Sequence, residues 1–291
     1  MAVNVYSISL HHKVYQFEWL FRALENAEDL FLVHVDRRAP EELVRQVRAI
    51  VSARPNVELL PRVAIRWGRW SQVRAELAAM RRAFELGTEW RYFITLSGQD
   101  YPIRSRAEID AELAAGWPGS FLSVDSFEQI RLVRPQDRHL RKRLTVRIGG
   151  HLVETPMPVP AVPGVDAEFK GSSWHMLSRD FCQWVLTAPV PRRLERALTY
   201  SRCPDEVFFQ ACFMNSPFKD LHAGDARRFT RWSSATAASP AVLVAGDRPD
   251  LDDSDALFAR KFDAQVDRSV LEALARDLGY PQPSAPSGVA R

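Results

Sequence analysis

The sequence has few cysteines and no long apolar run. Three cysteines occur among its 291 residues, and their odd number and irregular spacing argue against a disulfide framework or a zinc motif and predict reduced thiols. No uninterrupted apolar run reaches the roughly 18 residues that a membrane span needs. The first residues also lack the basic region and apolar stretch of a signal peptide. These absences predict a soluble, cytoplasmic protein without a transmembrane segment.

Charge and glycine patterns argue against further classes of protein. A net charge of +3 is too small to predict nucleic-acid binding by the whole chain. Neither G-x-G-x-x-G nor G-x-x-x-x-G-K-[ST] follows a predicted strand, which argues against Rossmann and P-loop enzymes. Two D-x-D sequences, at 250–252 and 253–255, could bind a divalent metal, but they lie in a polar segment rather than after a buried strand. We expect solvated carboxylates there and no metal site.

Hydrophobic periodicity alternates between strands and helices along the chain. Strands are predicted over 3–10, 30–35, 57–60, 92–96, 120–124 and 170–177. Helices are predicted around 17–24 and over 40–50, 71–86, 107–115, 179–186 and 204–214, with a proline-rich loop at 155–163. The alternation predicts an α/β fold with an open, mostly parallel, doubly wound sheet flanked by helices. Residues 1–280 form one predicted domain, and 281–291 a disordered tail.

The segment 91–104 is the first candidate for a binding site. The apolar run 92–96 ends abruptly in Ser-Gly-Gln-Asp. Ligands of open α/β sheets bind just beyond the carboxyl ends of the strands. Gly98 would allow a ligand to approach the main chain closely. The alternative is an ordinary turn between a strand and a helix.

Glu206 is the strongest isolated candidate for a catalytic acid or base. It falls in the first turn of the predicted helix 204–214, where unpaired N–H groups and the helix dipole stabilise negative charge. An ionised carboxylate in that position can act as general base for an attacking hydroxyl. The alternative is that Asp205 and Glu206 only cap the helix.

Two adjacent cations near the C-terminus are candidates for binding an anion. Phe258 and Phe262 are expected to anchor the segment, while Arg260 or Lys261 points at an anion such as a diphosphate. The alternative is that the two long basic side chains lie over an apolar patch with their charges in water.

Residues 96–103, Leu-Ser-Gly-Gln-Asp-Tyr-Pro-Ile, fit the pattern L-S-G-x-D-[YF]-P-[IL]. This segment resembles one in the core-2/I-branching β-1,6-N-acetylglucosaminyltransferases, glycosyltransferase family 14, which includes the peptide O-xylosyltransferases. Other segments resemble the family in the same order: 11–13, 34–36, Trp67 with 70–71, 170–174, 204–206, 228–232 and 257–262. The resemblance covers about residues 4–265 and identifies the chain as a soluble, bacterial-type member.

The resemblance implies a GT-A type fold with a C-terminal extension, and an inverting transfer of a sugar from a UDP-sugar to an acceptor hydroxyl. It implies that Glu206 is the general base. It also implies that no divalent metal is needed, because Lys261 neutralises the departing diphosphate. A second basic residue of the family is expected near 239–241, where this chain has none. Arg231 or Arg260 is expected to replace it.

The resemblance also assigns residues to the donor. Ser9 and Asp36 match positions that hold uracil and ribose, and Trp67 matches an aromatic residue that lies against the base. The loop beside the donor sugar corresponds to Gly98, Gln99 and Asp100. The wall of the sugar site corresponds to Ser172 and Trp174, and an aromatic face suits it because sugar C–H groups pack on such faces.

The expected function is transfer of N-acetylglucosamine from its UDP-sugar to a glycan, glycolipid or small-molecule acceptor. Transfer of xylose from UDP-xylose is the alternative donor hypothesis. A non-catalytic carbohydrate- or nucleotide-binding protein on the same fold is a second hypothesis. The basic stretch 131–147 leaves two more: an anionic acceptor, and a nucleic-acid-binding module, for which no recognised motif is present.

Overall fold

The computed structural model describes residues 3–52, 54–222, 224–234, 237 and 239–283. In these residues the strands are β1 (Val3–Leu10), β2 (Leu30–Val35), β3 (Val57–Leu59), β4 (Trp90–Ser97), β5 (Asp100–Pro102), β6 (Asp125–Ser126), β7 (Arg143–Ile148), β8 (His151–Pro158), β9 (Phe169–Lys170), β10 (Met176–Ser178), β11 (Arg228–Thr230) and β12 (Phe258–Arg260). The α-helices are α1 (Val14–Leu24), α2 (Glu41–Val51), α3 (Ser71–Glu85), α4 (Arg106–Gly116), α5 (Phe127–Val133), α6 (Arg179–Thr187), α7 (Pro189–Leu198), α8 (Phe208–Met214), α9 (Arg248–Asp252) and α10 (Ser269–Leu278). Apart from residues 281–283, the predicted disordered tail lies outside the described residues.

The main sheet has the strand order β10–β4–β1–β2–β3. All neighbours in it are parallel except β10, which runs antiparallel to β4. Because β1 lies between β2 and β4 in parallel register, Ser9 stands beside both His34 and Ser97. The loops that follow these three strands therefore meet at one edge of the sheet, where open α/β sheets bind ligands.

Side chains that alternate along the central strands enter two separate hydrophobic clusters. Tyr6 and Ile8 of β1 pack in one cluster with apolar residues of α1, α2 and α4. Val5 packs in the other with residues of α3, α6 and α8. This period of two is that of a strand covered on both faces. The predicted α/β class, with a mostly parallel, doubly wound sheet, is confirmed.

The C-terminal extension forms a second, three-stranded sheet with the order β11–β12–β5. Its strand β12 is antiparallel to β5, which places Arg260 opposite Asp100. Phe262 is fully buried among apolar residues of α1 and α10, and its N–H donates to the carbonyl of Gln99 at 2.9 Å. The predicted anchoring by Phe258 and Phe262 is confirmed, since both side chains are fully buried. Lys261 is thereby held beside the loop after β4.

Several predicted elements are wrong in detail. The segment 120–124 forms only isolated bridges, because after Phe121 the chain leaves the edge of β10. The strand 170–177 is two short strands, β9 and β10, since the Ser172 hydroxyl accepts from the Trp174 N–H and turns the chain between them. The helix 204–214 begins as a 3-10 turn, Pro204–Glu206, and α8 starts only after Val207, whose φ of −125° interrupts it.

The proline-rich segment is not wholly a loop. Strand β8 runs through Pro156 to Pro158 and pairs with β7, so that the basic stretch and part of the proline-rich segment form a β-hairpin. Proline has no backbone N–H to donate. It is tolerated in this hairpin because both strands of a two-stranded sheet are edge strands, whose outer N–H groups have no partner in the sheet. In the described part of the chain, no helix has the length and apolar character required to cross a membrane.

Candidate functional site

A cleft of about 1130 Å³ opens at the carboxyl edge of the main sheet. It brings together most of the predicted site residues: Ser9, Asp36, Trp67, Gly98, Gln99, Ser172, Trp174, Glu206, Arg260 and Lys261. These residues come from the ends of β1, β2 and β4, from the turns after β3 and β9, and from the C-terminal extension. The segment 91–104 is therefore more than an ordinary turn, because its loop forms part of the cleft wall.

Asp36 is held rigidly at the end of β2. Its carboxylate accepts hydrogen bonds from the Arg38 N–H at 2.7 Å, the Arg38 guanidinium at 3.1 Å and the Ile65 N–H at 3.1 Å. Burial opposes its ionisation, but these hydrogen bonds prevail and lower the pKa of Asp36. Trp67 lies nearby in the same cleft with 58% of its surface exposed. This end of the cleft presents a fixed carboxylate and an open aromatic face, which together suit a planar polar ring.

Gly98 packs directly on the end of β1. Its N–H donates to the carbonyl of Ser9 at 3.1 Å, and a Cβ at this position would lie 3.1 Å from Cβ of Leu10. A larger residue would push the loop away from β1 and into the cleft. The glycine thus keeps the loop after β4 close to the sheet, as a site for close approach of a ligand requires.

Asp100 does not line the cleft with its neighbours in that loop. Its side chain is fully buried; it accepts from the Ser97 N–H at 2.8 Å and lies 3.5 Å from the Arg228 guanidinium and 3.3 Å from that of Arg260. Of the loop 98–100, Gly98 and Gln99 line the cleft, and the expected place of Asp100 in its lining is not found. Asp100 holds the two arginines from behind, because a buried carboxylate must be paired with cations.

Arg260 and Trp174 form one unit of the cleft wall. The guanidinium carbon of Arg260 lies 3.9 Å from the centre of the Trp174 ring, well within cation–π range. Burial lowers the pKa of Arg260, while Asp100 opposes that shift. One face of Trp174 is thus covered by Arg260.

Lys261 is a cation without a counter-ion. No ion pair joins its ammonium to a carboxylate within the described residues. Burial lowers the pKa of Lys261, and the charges of Arg260 and Lys13 lower it further. His11 and His12 stack beside this region with ring centres 4.0 Å apart and also line the cleft. The ammonium of Lys261 is therefore available to bind an anion in the cleft.

Arg231 does not take part in this cationic group. It forms ion pairs with Asp247 and Asp250 and lies outside the cleft lining, because β11 directs it towards the carboxylates near α9. Of the two proposed replacements for the family's second cation, the structure places only Arg260 in the cleft. Asp252 of the D-x-D pair is likewise held by Arg248 at 2.6 Å. In the described ranges, no cluster of three or more His, Cys, Asp or Glu side chains is arranged to hold a metal ion.

Glu206 lines the same cleft as Gly98 and Lys261, with 32% of its side chain exposed. Its Oε2 lies 3.1 Å from Nζ of Lys170 and 3.7 Å from Nε2 of His139. The negative charge is therefore stabilised by a lysine, and the predicted place in the first turn of an α-helix is wrong. The capping alternative is wrong as well, because α8 takes Val207 as its N-cap and no side chain caps it.

A network of charges surrounds Glu206. Asp137 lies 2.9 Å from both Lys170 Nζ and His139 Nδ1. Burial alone would lower the pKa of Lys170, but the charges of Glu206 and Asp137 outweigh it and raise that pKa. The sequence analysis assigned no role to Lys170, Asp137 or His139. Lys170 could have been noticed because it belongs to the motif 170–174. Asp137 and His139 lie about 70 residues before Glu206 in the chain, and no motif marks them.

The side chain of Asp205 lies in different surroundings from that of Glu206. It is buried, accepts from the Gln72 amide at 3.0 Å, and turns away from solvent. Burial raises the pKa of Asp205 to about 7, and the negative charge of Glu206 adds to the effect. Both carboxylates line the cleft, but Glu206 is the more exposed, with 32% of its side chain accessible.

The basic stretch 131–147 is partly neutralised within the described residues. Arg131 and Lys142 pair with Glu168, Arg141 with Glu154 at 3.1 Å, and Arg134 with Asp125 at 3.9 Å. Arg134 also lines the cleft. The stretch therefore borders the site at Arg134 and, through Asp137 and His139, beside Glu206.

The chain is similar to known proteins in sequence and in fold. The family model of the Core-2/I-Branching enzyme matches residues 5–247. Human beta-1,3-galactosyl-O-glycosyl-glycoprotein beta-1,6-N-acetylglucosaminyltransferase 3 is 29% identical over 94% of this chain and 68% of its own length. Rat xylosyltransferase 2 is 30% identical over 92% of this chain and 33% of its own length. A solved structure of mouse xyloside xylosyltransferase 1 aligns over 89% of this chain and 96% of its own, with 13% identity and a TM-score of 0.42.

The family model covers most of the chain, and the parallel sheet with its flanking helices agrees with the GT-A type fold that the sequence predicted. The resemblance seen in the sequence is confirmed. The chain therefore belongs to the Core-2/I-Branching enzyme family and is a glycosyltransferase.

Proposed function

We propose that this glycosyltransferase moves a sugar, with inversion and without a divalent metal, from a UDP-sugar to an acceptor hydroxyl to form a β-linkage. The observation that carries the proposal is that Glu206 and the unpaired Lys261 line one cleft. A base for the acceptor and a cation for the leaving group are the two charges that such a transfer needs.

Glu206 is the proposed general base. Inversion in one step requires a single group that takes the acceptor proton as the hydroxyl attacks the anomeric carbon. Lys170 lies 3.1 Å from the carboxylate and serves as its counter-ion. The Glu206 backbone is also fixed, because its carbonyl accepts from the Gly171 N–H at 2.9 Å. The proposed base is thus held in place beside a cation.

Lys261 and Arg260 are the proposed partners of the diphosphate. A divalent metal would otherwise neutralise the charge that gathers on the leaving UDP. Lys261 supplies an ammonium with no ion pair in the described residues, and Arg260 supplies a second cation in the same cleft. Fixed cations that face the leaving group stabilise the transition state more than the ground state.

The remaining cleft residues are proposed to contact different parts of the donor. Ser9, Asp36 and Trp67 form the end proposed for uridine, and the loop with Gly98 and Gln99 lies beside the proposed sugar site. Ser172 and Trp174 form its wall. Because Arg260 covers one face of Trp174, the sugar packs on this wall only at the part that Arg260 leaves open.

N-acetylglucosamine is the proposed donor sugar, and xylose is the second candidate. The matched relatives carry both names, at 29% and 30% identity. A screen for UDP release from UDP-N-acetylglucosamine and UDP-xylose, first with water as acceptor, separates the two. The proposed acceptor is a glycan, glycolipid or small molecule, and Arg134 at the rim of the cleft favours one with a negative charge.

The test of the reaction is Glu206→Gln, with Glu89→Gln as the matched control. Glu89 is 84% exposed and lies outside the cleft, so its amide should leave activity unchanged. Glu206→Gln should lower UDP release by about 100-fold or more, the usual contribution of a general base. NMR of a product should show a β-linkage from the α-linked donor. Full activity of Glu206→Gln, or no release of UDP by the wild type from any UDP-sugar, would favour the non-catalytic hypothesis.

A further inference from the structure

One face of the hairpin of β7 and β8 is apolar and open to solvent. Val146 pairs with Val153 across the hairpin, and the two side chains are 43% and 40% exposed. Ile148, two residues further along β7, is 62% exposed. Since side chains alternate between the two faces of a strand, and directly opposite residues share a face, these three lie together. The hairpin therefore turns an aliphatic surface outwards.

The opposite face of the hairpin packs on the body of the protein. Thr145 is almost fully buried, and its N–H donates to the carbonyl of Tyr200 at 2.7 Å. Leu152 lies so close to Gly68 that a Cβ on the glycine would be 2.5 Å from the leucine Cδ1. The hairpin is thus held beside Trp67, which lines the cleft.

Positive charge surrounds the apolar face. Residues 138–158 contain five arginine or lysine residues and a single acidic residue, Glu154, whereas the whole chain has a net charge of only +3. Two of the five cations have carboxylate partners. Arg147, beside Ile148 near the tip, is exposed and forms no ion pair within the described residues. The excess of positive charge is therefore concentrated in this segment.

The tip of the hairpin projects from the body. Gly149 and Gly150 turn the chain with φ of +54° and +89°. A Cβ on either glycine would meet no atom of the described residues within 4 Å. A small, uncrowded tip between aliphatic and basic side chains can enter a soft surface without rearrangement of the fold.

We propose that this hairpin docks the protein on a membrane surface that contains anionic lipids. Aliphatic side chains enter the boundary between headgroups and acyl chains, and neighbouring arginines attract the negative headgroups. Because the hairpin packs beside Trp67, docking brings the cleft close to the lipid surface. The proposal goes beyond the proposed function and does not depend on it, since docking is measured without turnover.

Charge and composition favour a lipid surface over two other partners. A second copy of the chain fits poorly, because pairing two such faces would bring their cations together. Nucleic acid fits poorly as well, because residues 143–158 contain no Phe, Tyr or Trp on which bases could stack. An anionic bilayer satisfies both the apolar side chains and the cations around them.

Binding of the full chain to vesicles tests the proposal. Vesicles of phosphatidylcholine alone are compared with vesicles that also contain phosphatidylglycerol, and bound protein is measured by co-sedimentation. The wild type should bind the anionic vesicles at low salt and remain in solution with phosphatidylcholine alone. Binding should weaken at high salt, because ions screen the attraction between the arginines and the headgroups.

Two kinds of variant separate the apolar from the charged contribution. The double variant Val146→Ser, Ile148→Ser should weaken binding by about 10-fold or more, because two aliphatic side chains no longer gain from leaving water. Arg147→Gln should weaken it by about 5-fold, the effect of one cation near an anionic surface. The controls Val266→Ser and Arg81→Gln change exposed side chains of the same kinds outside the hairpin and should match the wild type.

A dye at the tip reports insertion directly. All three native cysteines are buried, so a polarity-sensitive thiol dye labels Ile148→Cys selectively. Its emission should shift to the blue when anionic vesicles are added, because the dye leaves water. The same dye on Val266→Cys should show no shift.

Three results would overturn the proposal. The first is failure of the wild type to bind anionic vesicles, and the second is wild-type binding by both the double variant and Arg147→Gln. The third is a dimer in solution that the double variant dissociates, without binding to vesicles, which would assign the face to a second copy. None of these measurements involves Glu206 or UDP release, so the proposed function and this proposal can fail separately.

Discussion

Replacing Lys261 by methionine should weaken UDP binding and stabilise the free protein at the same time. The ammonium of Lys261 has no carboxylate partner in the described part of the chain, and Arg260 and Lys13 repel it. Methionine keeps most of the length and apolar surface of the lysine chain while it removes the charge. The variant therefore tests the charge alone.

The size of the effect follows from simple electrostatics. Two unit charges about 4 Å apart interact by about 4 kcal/mol at an effective dielectric constant of about 20. The cleft is open to water, so we expect about 2 kcal/mol to remain, within the usual range for a hydrogen bond to a charged group. A loss of about 2 kcal/mol raises the Kd for UDP by about 30-fold. Relief of repulsion should raise the unfolding temperature by about 2 °C, the shift that about 1 kcal/mol produces in a protein of this size.

Isothermal titration calorimetry with UDP and a thermal melt without ligand measure the two effects. Lys219→Met is the matched control, because Lys219 is exposed and lies outside the cleft. It should leave the Kd unchanged. Tight UDP binding by Lys261→Met would refute the assignment of the diphosphate to Lys261. Weaker binding together with a lower unfolding temperature would show instead that Lys261 supports the fold.

Three further predictions concern metal, geometry and pH. Excess EDTA should leave UDP release unchanged; loss of activity that Mn²⁺ restores would give a metal-binding role to Asp255, which lines the cleft. Gly171→Ala would place a Cβ 1.9 Å from the Ser123 carbonyl oxygen and move the turn that holds Glu206, so kcat should fall by about 100-fold. Gly246→Ala, with no atom within 4 Å, should match the wild type. The raised pKa of Asp205, about 7, means that the native state keeps a proton that the unfolded chain releases near pH 4. Stability should therefore fall as pH rises from about 4 to 7, and thermal melts of Asp205→Asn should lose that slope; an unchanged slope would contradict the assignment.

The strands of the main sheet were predictable because they are covered on both faces. Val3–Leu10 and Leu30–Val35 agree with the sequence prediction at both ends. Continuous apolar runs bounded by polar residues are typical of such strands. The short strands at the rim could not be predicted in the same way. The ends of Phe169–Lys170 and Met176–Ser178 depend on single contacts, such as the hydrogen bond from the Ser172 N–H to the Ser123 hydroxyl at 2.7 Å, which no periodicity encodes.

The hairpin of β7 and β8 was missed because its pattern is that of a solvated segment. Two of its apolar side chains, Ile148 and Met157, are more than half exposed, and Pro156 lies inside a strand. Neither feature is typical of a strand in a packed sheet. The charges of 131–147 gave no hint of pairing, since their partners Glu154 and Glu168 lie more than ten residues away.

Residues of the candidate site could be predicted where they belong to a short sequence motif. Glu206, Gly98 and Lys261 each stand in a motif, and the structure brings all three to one cleft. The residues around Glu206 were not predictable, because His139 lies in a 3-10 turn and Asp137 caps that turn, within a basic segment that carries no motif. Only the fold brings that turn to Glu206.

The two charged groups of the cleft differ in how their charge is balanced. Glu206 faces Lys170, which Asp137 shares, so the base has a counter-ion before any substrate binds. Lys261 forms no ion pair within the described residues, and the charges of Arg260 and Lys13 repel it. Such a cation lowers the stability of the free protein, and in the proposed function it gains a partner when the diphosphate binds. Its interaction grows as the C–O bond breaks and charge collects on UDP, so this arrangement stabilises the transition state more than the bound donor. Lys261 thus accounts both for the expected lower stability of the free protein and for the proposed independence from metal.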